Sequence, residues 1–130
     1  MNNQNLKITP LLMFNGNAEE AMKFYTSIFD NAEIQSIFHL ENGTVMHATF
    51  TLNGQTFMAI DNSNGNDIPF TAAVSLFVTC ESEQEIDTVF KKLAEDGKIL
   101  MDLAPTPFSM KFAWIEDQYG VSWQLNLETK

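Results

Sequence analysis

The chain has a single cysteine, Cys80, among 130 residues. No intrachain disulfide can therefore form, and no zinc site can be assembled from thiolates of this chain alone. Basic residues are scarce as well: 7 Lys and Arg stand against 17 Asp and Glu, for a formal net charge of −10. Nucleic acids and anionic membrane surfaces are bound through clustered cations, so neither is an expected partner. No apolar run approaches the roughly 20 residues of a membrane span. None follows MNNQNLK in the manner of a signal peptide, so the expected location is cytoplasmic.

What the chain does have is apolar bulk. Hydrophobic residues make up 45%, with eleven Phe and seven Met, a mixture that suits a core or an adaptable pocket. A domain of this length removes roughly two-thirds of its unfolded surface from water. The acidic balance would attract a cationic small molecule; the plainer reading is that it keeps the protein in solution.

Along the chain, residues 8–14 form an apolar run of strand length, broken by Asn15-Gly16. Asn17 is an N-cap candidate with Glu20 three positions on. Ala18, Ala21, Met22, Tyr25, Ile28 and Phe29 then make one helical stripe. Three strands are predicted over 33–40, 44–52 and 55–60, separated by Asn42-Gly43 and Asn53-Gly54, the dipeptide of type I′ hairpins. Residues 62–71 read as a linker. The pattern then restarts: a strand over 72–79, Ser82 with Glu85 as a second capping box, a stripe of Ile86, Val89, Phe90 and Leu93, and Gly97 to close the helix. A strand over 98–103, a loop over 104–109 and a terminal hairpin complete it. The caps Asn17 and Ser82 lie 65 positions apart, which marks an internal duplication of βαβββ with modules at 8–61 and 72–127. The expected fold is α+β: two such modules, eight strands in a cup-shaped mixed sheet, and helices on the outer face only.

The terminal hairpin, FAWIEDQYGVSWQLNL, carries its turn at Asp117 to Gly120. Pairing Glu116 with Val121 sets Trp114 opposite Trp123 on the helix side and Ala113 opposite Gln124 on the cup side.

This arrangement resembles the vicinal oxygen chelate superfamily of glyoxalases, extradiol dioxygenases and bleomycin-resistance proteins, and more narrowly its PhnB-like members, often labelled 3-demethylubiquinone-9 3-methyltransferase. The residues that carry the likeness are Phe14-Asn15-Gly16-Asn17-Ala18-Glu19-Glu20-Ala21 through Phe24-Tyr25, Val45-Met46-His47-Ala48, and Asp117 with Gly120-Val121-Ser122-Trp123. The superfamily implies a divalent metal held by His and Glu from four strands. Matched through the helix starts and the last hairpin, those positions fall at about Pro10, Ala59, Ala73 and Gln124. Only Gln124 offers an oxygen, and it is a neutral amide, so neither a metal nor another cofactor is expected. The methyltransferase label implies S-adenosylmethionine, but the Gly-rich strand-to-helix loop of the usual site is missing.

The pairing of Glu41 with Thr44 across Asn42-Gly43 would put His39 and His47 on opposite faces, so that they cannot share a metal. His47 is expected to face the cup, as a general base or a hydrogen-bonding group, or simply as a satisfied cross-strand polar residue. Ser122 and Gln124, with Ala113, Ser75 and Ala59, complete the expected ligand-binding lining. The leading expectation is a metal-free small-molecule-binding protein, dimeric, with a sequestration or resistance role. The alternative is an enzyme, metal-dependent or using His47 for acid–base chemistry.

Overall fold

A computed structural model describes residues 7–129. The chain divides into two compact units, one ending at Ile68 and the other beginning at Pro69. Each is a four-stranded mixed sheet with one helix, so the eight strands fall into two sheets of four.

In the first unit β1 (Leu11–Phe14), α1 (Ala18–Ile28), β2 (Glu33–His39), β3 (Val45–Leu52) and β4 (Gln55–Asp61) follow in order. The sheet order is β1-β4-β3-β2, with β1 parallel to β4 and the rest antiparallel. Helix α1 buries Ala18, Ala21, Met22 and Tyr25, and on the sheet Ala48 and Ala59 have no exposed surface. Alanines on both sides let the helix come close to the strands, and Phe14, Phe50 and Phe57 fill the space around them. Phe50 and Phe57 are cross-strand partners stacked at 5.3 Å. Each such fully buried side chain contributes about 1.5 to 3 kcal/mol relative to exposure.

The start of α1 differs from expectation. Asn17 makes no side-chain cap hydrogen bond. The free N–H groups are met instead by Asp61 at the end of β4, whose Oδ1 accepts from Gly16 N at 3.1 Å and Ala18 N at 2.9 Å. Its Oδ2 accepts from Val45 N at 2.8 Å. A carboxylate beside a helix N-terminus is favoured by the helix dipole, and three donors offset the cost of burying it. Asp61 is thus a long-range cap for α1. Asn15 is also structural: its side chain accepts from Ile68 N and donates to Ile68 O, tying the following loop to the end of β1.

The two Asn-Gly turns are not alike. Asn53 and Gly54 both have positive φ, as a two-residue type I′ turn requires, and Leu52 pairs with Gln55. At Asn42-Gly43 only Gly43 does, Leu40 N donates to Thr44 O, and a bulge at Phe38/His39 absorbs the extra residue. Glu41 and Thr44 are therefore not the closing pair. The bulge restores the Phe38 to His47 pairing.

The second unit comprises β5 (Ser75–Cys80), α2 (Glu83–Ala94), β6 (Lys98–Thr106), β7 (Ser109–Glu116) and β8 (Ser122–Glu128), in the sheet order β5-β8-β7-β6. Here the cap is as expected: Ser82 Oγ accepts from Glu85 N at 3.0 Å, and Glu85 Oε1 accepts from Glu81 N at 2.7 Å. Ile86, Val89 and Leu93 of α2 are buried with Ile115, Trp123, Leu125 and Leu127 of the sheet. Lys111 of β7 reaches Asp87 at 2.8 Å and Glu83 at 3.3 Å, which ties the sheet to α2.

Strand β6 runs through the predicted loop as far as Thr106, and Pro105 is tolerated because β6 is an edge strand. After α2 it is Asp96, not Gly97, that takes the left-handed conformation. Gly97 is required for another reason: a Cβ there would lie 2.3 Å from Glu116 O.

Candidate functional site

The terminal hairpin decides which side chains are available. Its turn runs one residue longer than Asp117 to Gly120, because Asp117 N donates to Val121 O and the first strand pair is Glu116 with Ser122. Asp117 Oδ1 accepts from Tyr119 N at 2.8 Å and Val121 N at 3.0 Å, and its Oδ2 accepts from Trp123 Nε1 at 2.8 Å. Trp114 then pairs with Gln124, Ile115 with Trp123, and Ala113 with Leu125.

Three expectations are corrected by this geometry. Trp114 and Trp123 lie on opposite faces, Trp123 in the core and Trp114 on the face without a helix. Ala113 has no exposed surface and sits with Leu125 on the helix side, not on the open face. Ala59 is likewise enclosed beneath α1, and the residues that β4 turns to the open face are Met58 and Ile60.

The open face of the first sheet carries Leu11, Met13, His47, Thr49, Met58 and Ile60, with Phe38 beside His47. His47 is half-buried and has no hydrogen-bond or ion-pair partner among the described residues. His39 is on the other side, with Nε2 at 2.7 Å from Glu19 Oε1 of α1. The His39 hydrogen bond, assisted by Lys23, holds the Glu19 carboxyl below the usual carboxylate range.

The open face of the second sheet carries Ser75, Phe77, Trp114, Ser122, Gln124 and Asn126. Ser75 Oγ lies 2.6 Å from Ser122 Oγ, and Trp114 Nε1 donates to Ser122 Oγ at 2.8 Å. Ser109 Oγ donates to Asn126 Oδ1. Toward the far end of the strands a groove of about 570 Å³ is lined by Phe77, Met101, Phe108, Phe112, Asn126 and Glu128, among others. Phe77 is 58% exposed and Phe108 84% exposed, so apolar surface is offered to solvent beside neutral hydrogen-bonding groups.

Cys80 is buried on the helix side, where desolvation pushes its thiol up to about 12. It is an inert core residue.

The donor set does not fit the divalent metal that this fold implies. No group of three or more His, Cys, Asp or Glu among the described residues could hold an ion. On the open faces thioether, alkyl, hydroxyl and amide groups predominate, and neither His47 nor Glu128 belongs to a group of three or more potential ligands among the described residues. No described helix is long and apolar enough to cross a membrane.

Duplicated βαβββ units of this kind are the fold of glyoxalase/bleomycin resistance protein/dioxygenase domains. A glyoxalase/bleomycin resistance protein/dioxygenase domain from a Frankia species superposes with a TM-score of 0.72 at 16% identity, covering 99% of each chain. Within that class the chain belongs to the family described as 3-demethylubiquinone-9 3-methyltransferase, whose profile matches residues 6–126. It is 61% identical to the PhnB protein of Bacillus cereus, with a TM-score of 0.90 over 93% of this chain and 98% of that one. A protein from Pseudomonas aeruginosa is 29% identical, with a TM-score of 0.82 over 97% and 100%. No curated protein matches.

Proposed function

We propose that this chain binds a small, largely apolar molecule on the open face of its second sheet and does so without a metal. The observation that carries the reading is the groove of about 570 Å³, which lies within the range of small-molecule sites. Its walls are Phe, Met and neutral polar groups, with one carboxylate, Glu128. Affinity would come from apolar burial, while Asn126 in the groove, and Gln124 and Ser75 farther along the same face, would orient the ligand. Ser122 would act through Ser75 and Trp114.

Glu128 at the groove and the overall charge of −10 favour a cationic or neutral ligand over an anionic one. A cytoplasmic homodimer that sequesters such a compound accords with the low cysteine content and the apolar open faces. The absence of a Gly-rich strand-to-helix loop speaks against methyl transfer from S-adenosylmethionine. A thermal-shift screen of planar aromatic and cationic compounds tests the reading: concentration-dependent stabilisation by some of them is expected, and none by any would refute it.

A second reading rests on His47. A half-buried imidazole with no partner among the described residues is free to exchange a proton with a bound substrate. Loss of turnover in a folded His47→Ala variant, with ligand binding retained, would select this reading.

A further inference from the structure

On the open face of the second sheet the direction of one hydrogen-bond chain follows from counting protons. The indole N–H of Trp114 can only donate, and it donates to Ser122 Oγ at 2.8 Å. Ser122 is 1% exposed, and the other partner of its hydroxyl among the described residues is Ser75 Oγ at 2.6 Å. If Ser75 donated to Ser122, the Ser122 hydrogen would be buried with no acceptor, which costs about 1 to 3 kcal/mol. Ser122 therefore donates to Ser75. Ser75 is only half-buried, its own hydrogen is left over, and no protein acceptor among the described residues takes it. The chain runs Trp114 to Ser122 to Ser75 and ends in a free donor, strengthened by the bonds behind it.

We infer that Ser75 is a specificity-determining residue that gives its hydroxyl hydrogen to an acceptor atom of a planar aromatic ligand. The inference rests on the reading that the ligand lies on this face. The same chain fixes the indole of Trp114, the cross-strand partner of Gln124, as a flat apolar surface two strands away from Ser75. An aromatic ring over that surface reaches the Ser75 side with its edge. The acceptor on that edge is a neutral carbonyl oxygen or pyridine-type nitrogen, because the net charge of −10 disfavours an anion.

The test compares quinoline with naphthalene, which have the same shape and differ by one ring nitrogen. Each is titrated at neutral pH into the full-length protein and followed by the two indole N–H signals in heteronuclear NMR spectra, assigned with Trp114→Phe. Quinoline should bind about 2- to 10-fold more tightly than naphthalene and move the Trp114 signal. Ser75→Ala should abolish the preference, and Ser75→Thr, which keeps the hydroxyl, should retain it. Equal affinity of the unaltered protein for the two probes, or a preference that survives in Ser75→Ala, overturns the role of Ser75 and leaves the binding face standing. Failure of both probes to bind overturns the role of Ser75 and the binding face together.

Discussion

The indole N–H of Trp123 donates to the carboxylate of Asp117 at 2.8 Å, and this bond locks the terminal hairpin in register. The same carboxylate takes the backbone N–H groups of Tyr119 and Val121, so one side chain sets the turn length and anchors the largest fully buried side chain. Asp117→Ala should destabilise the protein by about 3 kcal/mol in urea denaturation, from the loss of charge-assisted hydrogen bonds to buried donors. A change below about 0.5 kcal/mol, the range of ordinary surface substitutions, would count against this role.

The two helices should respond oppositely to loss of their nominal caps. Ser82→Ala removes a bond to Glu85 N and should cost about 1 kcal/mol. Asn17→Ala removes no cap bond and should stay within about 0.5 kcal/mol. Asp61→Ala, which strips three backbone donors of their acceptor, should exceed both. Equilibrium unfolding of the three variants decides the order, and a costly Asn17→Ala would show that the helix is capped locally after all.

Gly97→Ala places a methyl against backbone of β7 at 2.3 Å and should cost about 1 to 3 kcal/mol through displacement of the strand end. Because Gly97 does not itself have a positive φ, the loss comes from contact and not from backbone strain. A neutral result in thermal melting would contradict the close approach.

Cys80 should resist alkylation by iodoacetamide at neutral pH in the folded protein and react freely in denaturant. Its thiol is raised from 9.0 to about 12 by burial. A group whose folded value is raised contributes stability that is complete below the unfolded value and falls as pH climbs from there toward the folded one. Stability should therefore decline between about pH 9 and 12 more steeply in the native protein than in Cys80→Ala. Rapid labelling of the native thiol would refute its burial.

Much of the fold was legible in the sequence. The stripes of α1 and α2, the two Asn-Gly turns and the repeat from Asn17 to Ser82 are local patterns, and the elements they mark are present. The open face was harder to read. Asp117 to Gly120 looks like a four-residue turn, and the extra residue at Val121 becomes visible only through the hydrogen bonds of Asp117. A one-residue slip reverses every side chain of β7, which is why Ala113 was expected outside and Trp114 inside. The capping role of Asp61 leaves no local signal, because its partners at the start of α1 lie more than forty residues away in the chain. For Ala59, a signal was available: Ala18, Ala21 and Ala48 are the small residues of a close helix-to-sheet contact, and Ala59 belongs with them.

Equilibrium dialysis against Zn²⁺, Ni²⁺ and Mn²⁺ should leave no stoichiometric, tightly held ion, since no three His, Cys, Asp or Glu side chains among the described residues are grouped to hold one. Retention of one ion per chain after dialysis would overturn the assignment of those faces.

The central claim is that the helix-free face of the second sheet is a binding surface. Its most direct test is chemical-shift mapping with a planar aromatic compound that scores in the thermal-shift screen. The account expects saturable shifts at Phe77, Trp114, Gln124 and Asn126, with Trp123 and Ala113 unmoved behind the sheet. Saturable shifts confined to the α2 side, or to the first unit alone, would contradict it.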